Sequence, residues 1–317
     1  MNTTETYDVI IIGAGPTGLA AALYTSREGY KTLVLEFAVI GGMAALTADI
    51  ENYPGFEEGI GGIELSDKLY KQAKRFGADI KLGVKVAKIE RAGDIITLSR
   101  DNGDSFTGKS VIIATGSTYR ELGIKGEKEL VGKGIHFCAT CDGPVYRGKD
   151  MIVVGGGNSA LQETVFLARF ATKITMLVRK PQFSGSQVLI DEVMALPNVE
   201  VRFGRSIDSF IETDGKLSGV KLNVEGETEL ETLEAPALFE LIGLLPNTTF
   251  LSGLVDLDER NFVKTDMHFQ TNMPGVFCAG DVRSGSTWQI ASAVGEGASA
   301  ALEIRKYLDG IGKNATA

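Results

Sequence analysis

The strongest constraint on the fold is a layout that occurs twice in the chain. Val9-Ile10-Ile11-Ile12 reads as a buried parallel strand and opens onto Gly13-Ala14-Gly15-Pro16-Thr17-Gly18, a G-x-G-x-x-G turn. Leu19 to Ser26 continues as a helix, and Thr32 to Leu35 is the next strand, ending at Glu36. Glycines at these places allow a tight turn and a close approach of backbone to ligand. The helix N-terminus then meets a pyrophosphate, and the acid accepts from a ribose hydroxyl. Shifted by 142 positions, the layout returns as Ile152-Val153-Val154, the turn Gly155-Gly156-Gly157-Asn158-Ser159-Ala160, a helix from Leu161 and a strand from Lys173 to Leu177. Alanine is an accepted variant of the third glycine. Two such units agree with the two domains expected of 317 residues.

The units are not redundant. The position equivalent to Glu36 is Val178, followed by Arg179 and Lys180. Two cations in place of an acid suit a 2′-phosphate, which a carboxylate would repel, although a charged turn after a strand is also commonly just solvated. The first unit, through Gly13, Gly15, Pro16, Gly18 and Glu36, suits FAD or NAD. The second, through Gly155, Gly157, Asn158, Ser159, Arg179 and Lys180, suits NADP.

Between the units lies Cys138-Ala139-Thr140-Cys141, followed by Asp142. A C-x-x-C beside a nucleotide-binding unit points to a disulfide that electrons open and close. The neighbouring acid can shuttle the proton that thiolate chemistry needs. Half a zinc site is the competing reading, but the further ligands on offer are only Cys278, His136 and His268, so no metal is expected. Three cysteines do not make a disulfide framework. The Met1–Tyr7 stretch is polar, and no apolar run is long enough to span a membrane, so the chain reads as cytoplasmic. A net charge of −9 argues against nucleic acid as a partner. Glycine is high, 39 of 317, and its concentration in short turns points to backbone–phosphate contacts.

Val111 to Gly116 and Gly275 to Asp281 read as two further strands that end in glycine turns. The second would set Asp281 against the ribityl hydroxyls of a flavin. A last helix, from Gln289 to about Leu308, would turn its N-terminus toward negative charge on a reduced flavin ring.

Taken in order, Gly13–Gly18 with Glu36, Gly41-Gly42, Glu51-Asn52-Tyr53-Pro54-Gly55, Ala114-Thr115-Gly116, Cys138–Asp142, Gly155–Ala160, Gly243 with Pro246-Asn247-Thr248, and Gly280-Asp281 with Gln289 resemble the low-molecular-weight thioredoxin reductase family over nearly the whole chain. The resemblance implies an α/β fold of two doubly wound, Rossmann-like domains. The FAD domain, residues 1–117 and 248–317, would be split around a central pyridine-nucleotide domain, residues 118–247, that carries the C-x-x-C. FAD contacts would include Gly42, Asn52, Thr115, Gly116, Asp281, Trp288, Gln289 and Ile290. Cys141 would face the flavin, Cys138 would attack the disulfide of a partner, and Asp142 would be the acid/base. Electrons would pass from NADPH to thioredoxin or a thioredoxin-like protein, in a homodimer whose central domains rotate about the two crossings.

The chain also departs from the family. Where His-Arg-Arg-x-x-x-Arg is usual, it has Val178, Arg179, Lys180 and Ser184; Trp288 stands for an arginine, and Met43 for a glutamine. Trp288 reads either as a ring against the flavin or as a packing anchor. His136 reads either as an aid to the outer thiolate or as a surface residue, and Cys278 as a small buried hydrophobe. The departures leave two donors in view, NADPH and reduced ferredoxin or another one-electron donor. A third reading is a flavin redox sensor whose cysteines switch an interaction.

Overall fold

The computed structural model describes residues 6–47, 49–226 and 228–314, so most of the polar N-terminal stretch, Met1–Glu5, lies outside the described residues. The chain divides into two compact units, one running to Thr118 and resuming at Leu245, the other comprising Tyr119–Leu244. The second changeover lies at Leu244/Leu245, slightly before the 247/248 boundary expected from the sequence.

In chain order the first unit begins with β1 (Thr6–Ile12), α1 (Pro16–Arg27), β2 (Thr32–Glu36), α2 (Gly62–Arg75), β3 (Asp79–Leu82), β4 (Lys88–Ala92), β5 (Ile95–Ser99) and β6 (Ser105–Ile113). After the crossing strand β7 (Ser117–Tyr119) come α3 (Glu127–Leu130), β8 (Ile135–His136), α4 (Ala139–Asp142), β9 (Met151–Val154), α5 (Asn158–Leu167), β10 (Ile174–Val178), α6 (Gln187–Met194) and β11 (Val199–Phe203). Then follow β12 (Arg205–Thr213), β13 (Lys216–Val224), β14 (Glu231–Glu234), β15 (Ala237–Glu240), the return crossing β16 (Leu244–Pro246), β17 (Val276–Cys278) and α7 (Ile290–Asn314).

The sheet of the first unit runs β3-β2-β1-β6-β5-β4. β1 and β2 pair in parallel, as do β1 and β6, while the long β6 also takes β5 antiparallel along its first half and β17 parallel along its second. The period-two alternation of the strands sorts their side chains onto two buried faces. Ile10, Leu33 and Val111 join one cluster; Val9, Ile11, Val34 and Ile112 join another with Leu19 of α1 and Ala300 and Ile304 of α7. The two helices pack closely because α7 carries Gly297, where a Cβ would come 2.2 Å from the Thr17 carbonyl oxygen.

The second unit has an all-parallel sheet, β11-β10-β9-β15-β8, and a three-stranded antiparallel sheet, β12-β13-β14. Its strands β9, β10 and β15 are buried nearly throughout, as expected of parallel strands covered on both faces. The crossings β7 and β16 pair with each other as a two-stranded ribbon. Among the described residues, no helix is long and apolar enough to cross a membrane.

One core group opposes stability. Glu240 ends β15, is 2% exposed, and lies beside the Glu127 carboxyl. Burial, and then the neighbouring Glu127 carboxyl, push Glu240 up to about 9. Glu127 is itself occupied by the backbone N–H groups of Leu122, Gly123 and Ile124. A raised carboxyl stays protonated in the folded chain while the unfolded chain ionises, so stability falls as pH rises from about 4.5 to about 9. Glu240→Gln keeps the shape and a donor but does not titrate. It is expected to be more stable than the parent by about 3 kcal/mol at pH 7, with the difference vanishing near pH 4. Urea denaturation at the two pH values checks this, and equal stabilities at pH 7 would refute it.

Candidate active site

The first glycine turn has the shape a dinucleotide requires. Gly13 has φ +107°, and a Cβ there would sit 2.3 Å from the Ala114 carbonyl oxygen; at Gly18 a Cβ would sit 1.9 Å from the Gly13 carbonyl oxygen. Gly15 differs, because nothing lies within 4 Å of the place its Cβ would take. Pro16 begins α1, which has no side-chain cap and no acid in its first turn, leaving its N-terminal N–H groups for an anion. Gly42, with φ +54°, lies against Gly15, its Cβ position 3.5 Å from the Gly15 Cα.

Glu36 is buried at the end of β2. Its oxygens accept from Ala14 N and Ala38 N, each at 2.7 Å, so the acid first of all fixes the turn. Each carboxylate oxygen keeps a second lone pair for a ribose hydroxyl. Asn52 donates from Nδ2 to Gln289 Oε1 at 3.1 Å, joining residues 237 positions apart. Thr115 donates from Oγ1 to the Asn247 carbonyl, and Asn247 Nδ2 donates back to the Thr115 carbonyl, beside Gly116 at φ +66°. Asp281 follows β17. Burial first, and the Glu296 charge second, push it up to about 6. Glu296 accepts from Gly280 N and from both ends of the Arg283 guanidinium, bracing the turn.

Trp288 has φ +52°, a strained setting for a bulky residue. Its ring lies 5.8 Å from that of Phe262, with the Arg260 guanidinium 5.5 Å away. The packing-anchor reading thus has partners within this unit. Its indole N–H is buried without an acceptor. Gln289 precedes α7 and its carbonyl accepts from Ala293 N; Ile290 is the first residue of the helix.

In the second unit Gly155 has φ +145°, and a Cβ there would lie 2.5 Å from the Leu241 carbonyl oxygen. Gly157 caps α5 and is open, with Ser184 Oγ the nearest atom at 3.8 Å; Asn158 and Ser159 form the exposed first turn. Arg179 and Lys180 are exposed beyond the buried Val178. The segment after them folds back over the turn. Ser184 N donates to the Gly156 carbonyl at 2.8 Å and Ser186 N to Asn158 Oδ1 at 2.7 Å. Ser184, which replaces a cation of the usual motif, is therefore a clasp for the glycine turn.

Cys138 and Cys141 are joined as a disulfide, with Cα atoms 5.4 Å apart. Cys138 caps the single turn α4, its sulfur accepting from Cys141 N at 3.2 Å. Glu163 of α5 accepts from Ala139 N at 3.0 Å. Burial raises the Glu163 carboxyl, and the N–H groups of Ala139 and Thr140 offset part of that rise. Asp142 ends the turn, with one oxygen 3.4 Å from His136 Nδ1. On its other side the imidazole Nε2 is 2.9 Å from the Tyr146 hydroxyl. His136 is 7% exposed, which rules out its reading as a surface residue. Cys278, the remaining cysteine, is fully buried, and burial raises its thiol well above the ordinary value.

Sequence reasoning missed Glu163, Tyr146, Glu296 and Arg283. Only Tyr146 had a usable signal, an aromatic just past the C-x-x-C turn; the others come from elements whose spacing says nothing of a redox or flavin site.

Residues 7–297 match the family described as pyridine nucleotide-disulphide oxidoreductase, which defines the class. A thioredoxin reductase of Bacillus subtilis (strain 168) is 38% identical over 309 residues, spanning 98% of this chain and 97% of that relative. One from Streptomyces clavuligerus is 39% identical over 307 residues, 96% of this chain and 95% of the relative. The crystal structure of thioredoxin reductase from Streptococcus pyogenes MGAS5005 superposes with a TM-score of 0.92 at 36% identity, covering 97% of this chain and 100% of that one. Within that class, the chain belongs to the low-molecular-weight thioredoxin reductase family.

Proposed function

We propose that the chain is an FAD-dependent disulfide reductase that takes electrons from NADPH and delivers them to the disulfide of thioredoxin or a thioredoxin-like protein. The observation that carries this reading is the Cys138–Cys141 bridge, closed across one helical turn, in a chain with two open dinucleotide turns. FAD, when bound, supplies a reversible store for an electron pair. Gly13, Gly15, Pro16 and Gly18 would hold its pyrophosphate and Glu36 its ribose, with Gly42, Asn52, Thr115, Gly116, Asp281, Gln289 and Ile290 around the remainder. Gly155, Gly157, Asn158 and Ser159 would take the NADPH pyrophosphate, and Arg179 and Lys180 its 2′-phosphate. A homodimer is the assembly that the resemblance implies.

The exchange itself follows from thiol chemistry. Once the bridge is reduced, the Cys138 thiolate attacks one sulfur of the partner's disulfide, and the other leaves as a thiolate that takes a proton. Cys141 then attacks Cys138 in the mixed disulfide, remaking the bridge and releasing the second partner thiol, which also takes a proton. One dithiol is oxidised and one disulfide reduced; both protons originate on the Cys138/Cys141 pair, with Asp142 as carrier.

Anaerobic mixing of the yellow holoenzyme with NADPH, NADH or reduced ferredoxin tests the donor. Fast loss of flavin absorbance with NADPH, at least about tenfold faster than with NADH, is the expected result. Bleaching by ferredoxin and by neither nicotinamide would overturn the donor assignment.

A further inference from the structure

We propose that His136 is a positioning residue for disulfide exchange, holding the Asp142 carboxyl and coupling its proton to an imidazole whose far side is closed by Tyr146. The inference rests on the disulfide-reductase reading and deepens it by adding two residues to the acid/base apparatus. His136 lies on β8 opposite Phe239 of β15, and its ring packs 5.4 Å from the Phe239 ring and 5.1 Å from the Tyr146 ring. Both of its nitrogens face oxygen: Nδ1 is 3.4 Å from Asp142 Oδ2 and Nε2 is 2.9 Å from Tyr146 Oη. The titratable groups around it are Asp142 from α4, Tyr146 from the turn that follows, and Glu163 from α5, which binds the N-terminus of α4. From β15 the Phe239 ring packs against it, and the next residue of that strand is the titratable Glu240.

This arrangement orders the protons. Nδ1 is within ion-pair distance of the Asp142 carboxyl without a formed hydrogen bond; an ionised carboxylate on that side favours the tautomer with the hydrogen on Nδ1, which leaves Nε2 to accept from the tyrosine hydroxyl. Burial, and then the Asp142 charge, raise Tyr146 above its ordinary value, so its hydroxyl remains a donor at neutral pH. When Asp142 gives up its proton during exchange, the new charge faces an imidazole N–H already in place. The tyrosine hydroxyl fixes the Nε2 side of the ring.

The test uses prereduced holoenzyme in single-turnover reduction of oxidised thioredoxin and, separately, of a small aromatic disulfide, from about pH 5 to about pH 9. The parent is expected to show an inflection in this profile. His136→Phe should lower the rate about tenfold and remove the inflection. In a background of Asp142→Asn the same change should have little further effect, because the two side chains act as one unit. Tyr146→Phe removes the hydroxyl from Nε2, so it should move the inflection. A His136→Phe protein with full flavin content and an unchanged pH profile would overturn the proposal, as would an unmoved inflection in Tyr146→Phe. The small disulfide keeps the two readings distinguishable: failure with thioredoxin alone refutes the protein-substrate reading, while the pH profile with the small disulfide still decides the role of His136.

Discussion

Cys138→Ser is expected to abolish thioredoxin reduction, by about a thousandfold or more, while flavin reduction by the electron donor continues at its normal rate. The argument is first structural. Cys138 caps α4 with its sulfur accepting from Cys141 N, and a serine oxygen is a better cap in the same place. The lost bridge closes a loop of only a few residues, so little unfolded-state entropy is at stake. The variant therefore keeps its fold and its flavin and lacks only the attacking sulfur. Cys141→Ser should behave differently. Cys138 still attacks, but nothing releases it, so a covalent adduct with the partner accumulates and is visible on a non-reducing gel. An adduct that forms through Cys141 in Cys138→Ser, and none in Cys141→Ser, would show that the two sulfurs have the opposite roles.

The second large effect separates two glycines of one motif. Gly18→Ala would place a methyl group 1.9 Å from the Gly13 carbonyl oxygen, a backbone atom that cannot step aside. It is expected to destabilise the first unit by about 2–3 kcal/mol and to yield colourless protein. Gly15→Ala meets nothing within 4 Å, and its extended backbone, φ −71°, suits any residue. Its apoprotein should match the parent within about 0.5 kcal/mol. Its affinity for FAD should still fall about tenfold or more, because the methyl group occupies the space through which the backbone meets the pyrophosphate. Denaturation of the apoproteins and titration with FAD measure the two effects separately. Equal FAD affinity for Gly15→Ala and the parent would mean that this turn does not hold the cofactor.

Much of this was legible because it is local. A G-x-G-x-x-G between a buried strand and a helix leaves few conformations, and the structure builds both turns at Gly13 and Gly155 with the positive φ that glycine permits. The C-x-x-C bridge is equally local, since one helical turn brings the two sulfurs together. What the sequence concealed depends on elements distant along the chain. Glu163 reaches the redox turn from the helix after the second glycine turn, and Asn52 finds Gln289 across most of the chain. His136 could be read as exposed because a two-residue strand has no periodicity; its burial follows from pairing with β15. Ser184 looked like a lost phosphate ligand, yet its backbone and hydroxyl both bind the Gly156 carbonyl. Glu36 likewise spends one lone pair of each oxygen on the chain itself.

The central claim is that electrons leave the flavin through Cys138 and Cys141 to a protein disulfide. It is tested most directly by carrying the anaerobic mixing one step further. Holoenzyme reduced with one equivalent of NADPH is mixed with oxidised thioredoxin, and flavin absorbance is followed together with the thiols of thioredoxin. Recovery of the yellow colour in step with the appearance of two thiols per flavin, and its absence in Cys138→Ser, is the predicted result. A flavin that stays reduced beside oxidised thioredoxin, or that recovers equally well without Cys138, would contradict it.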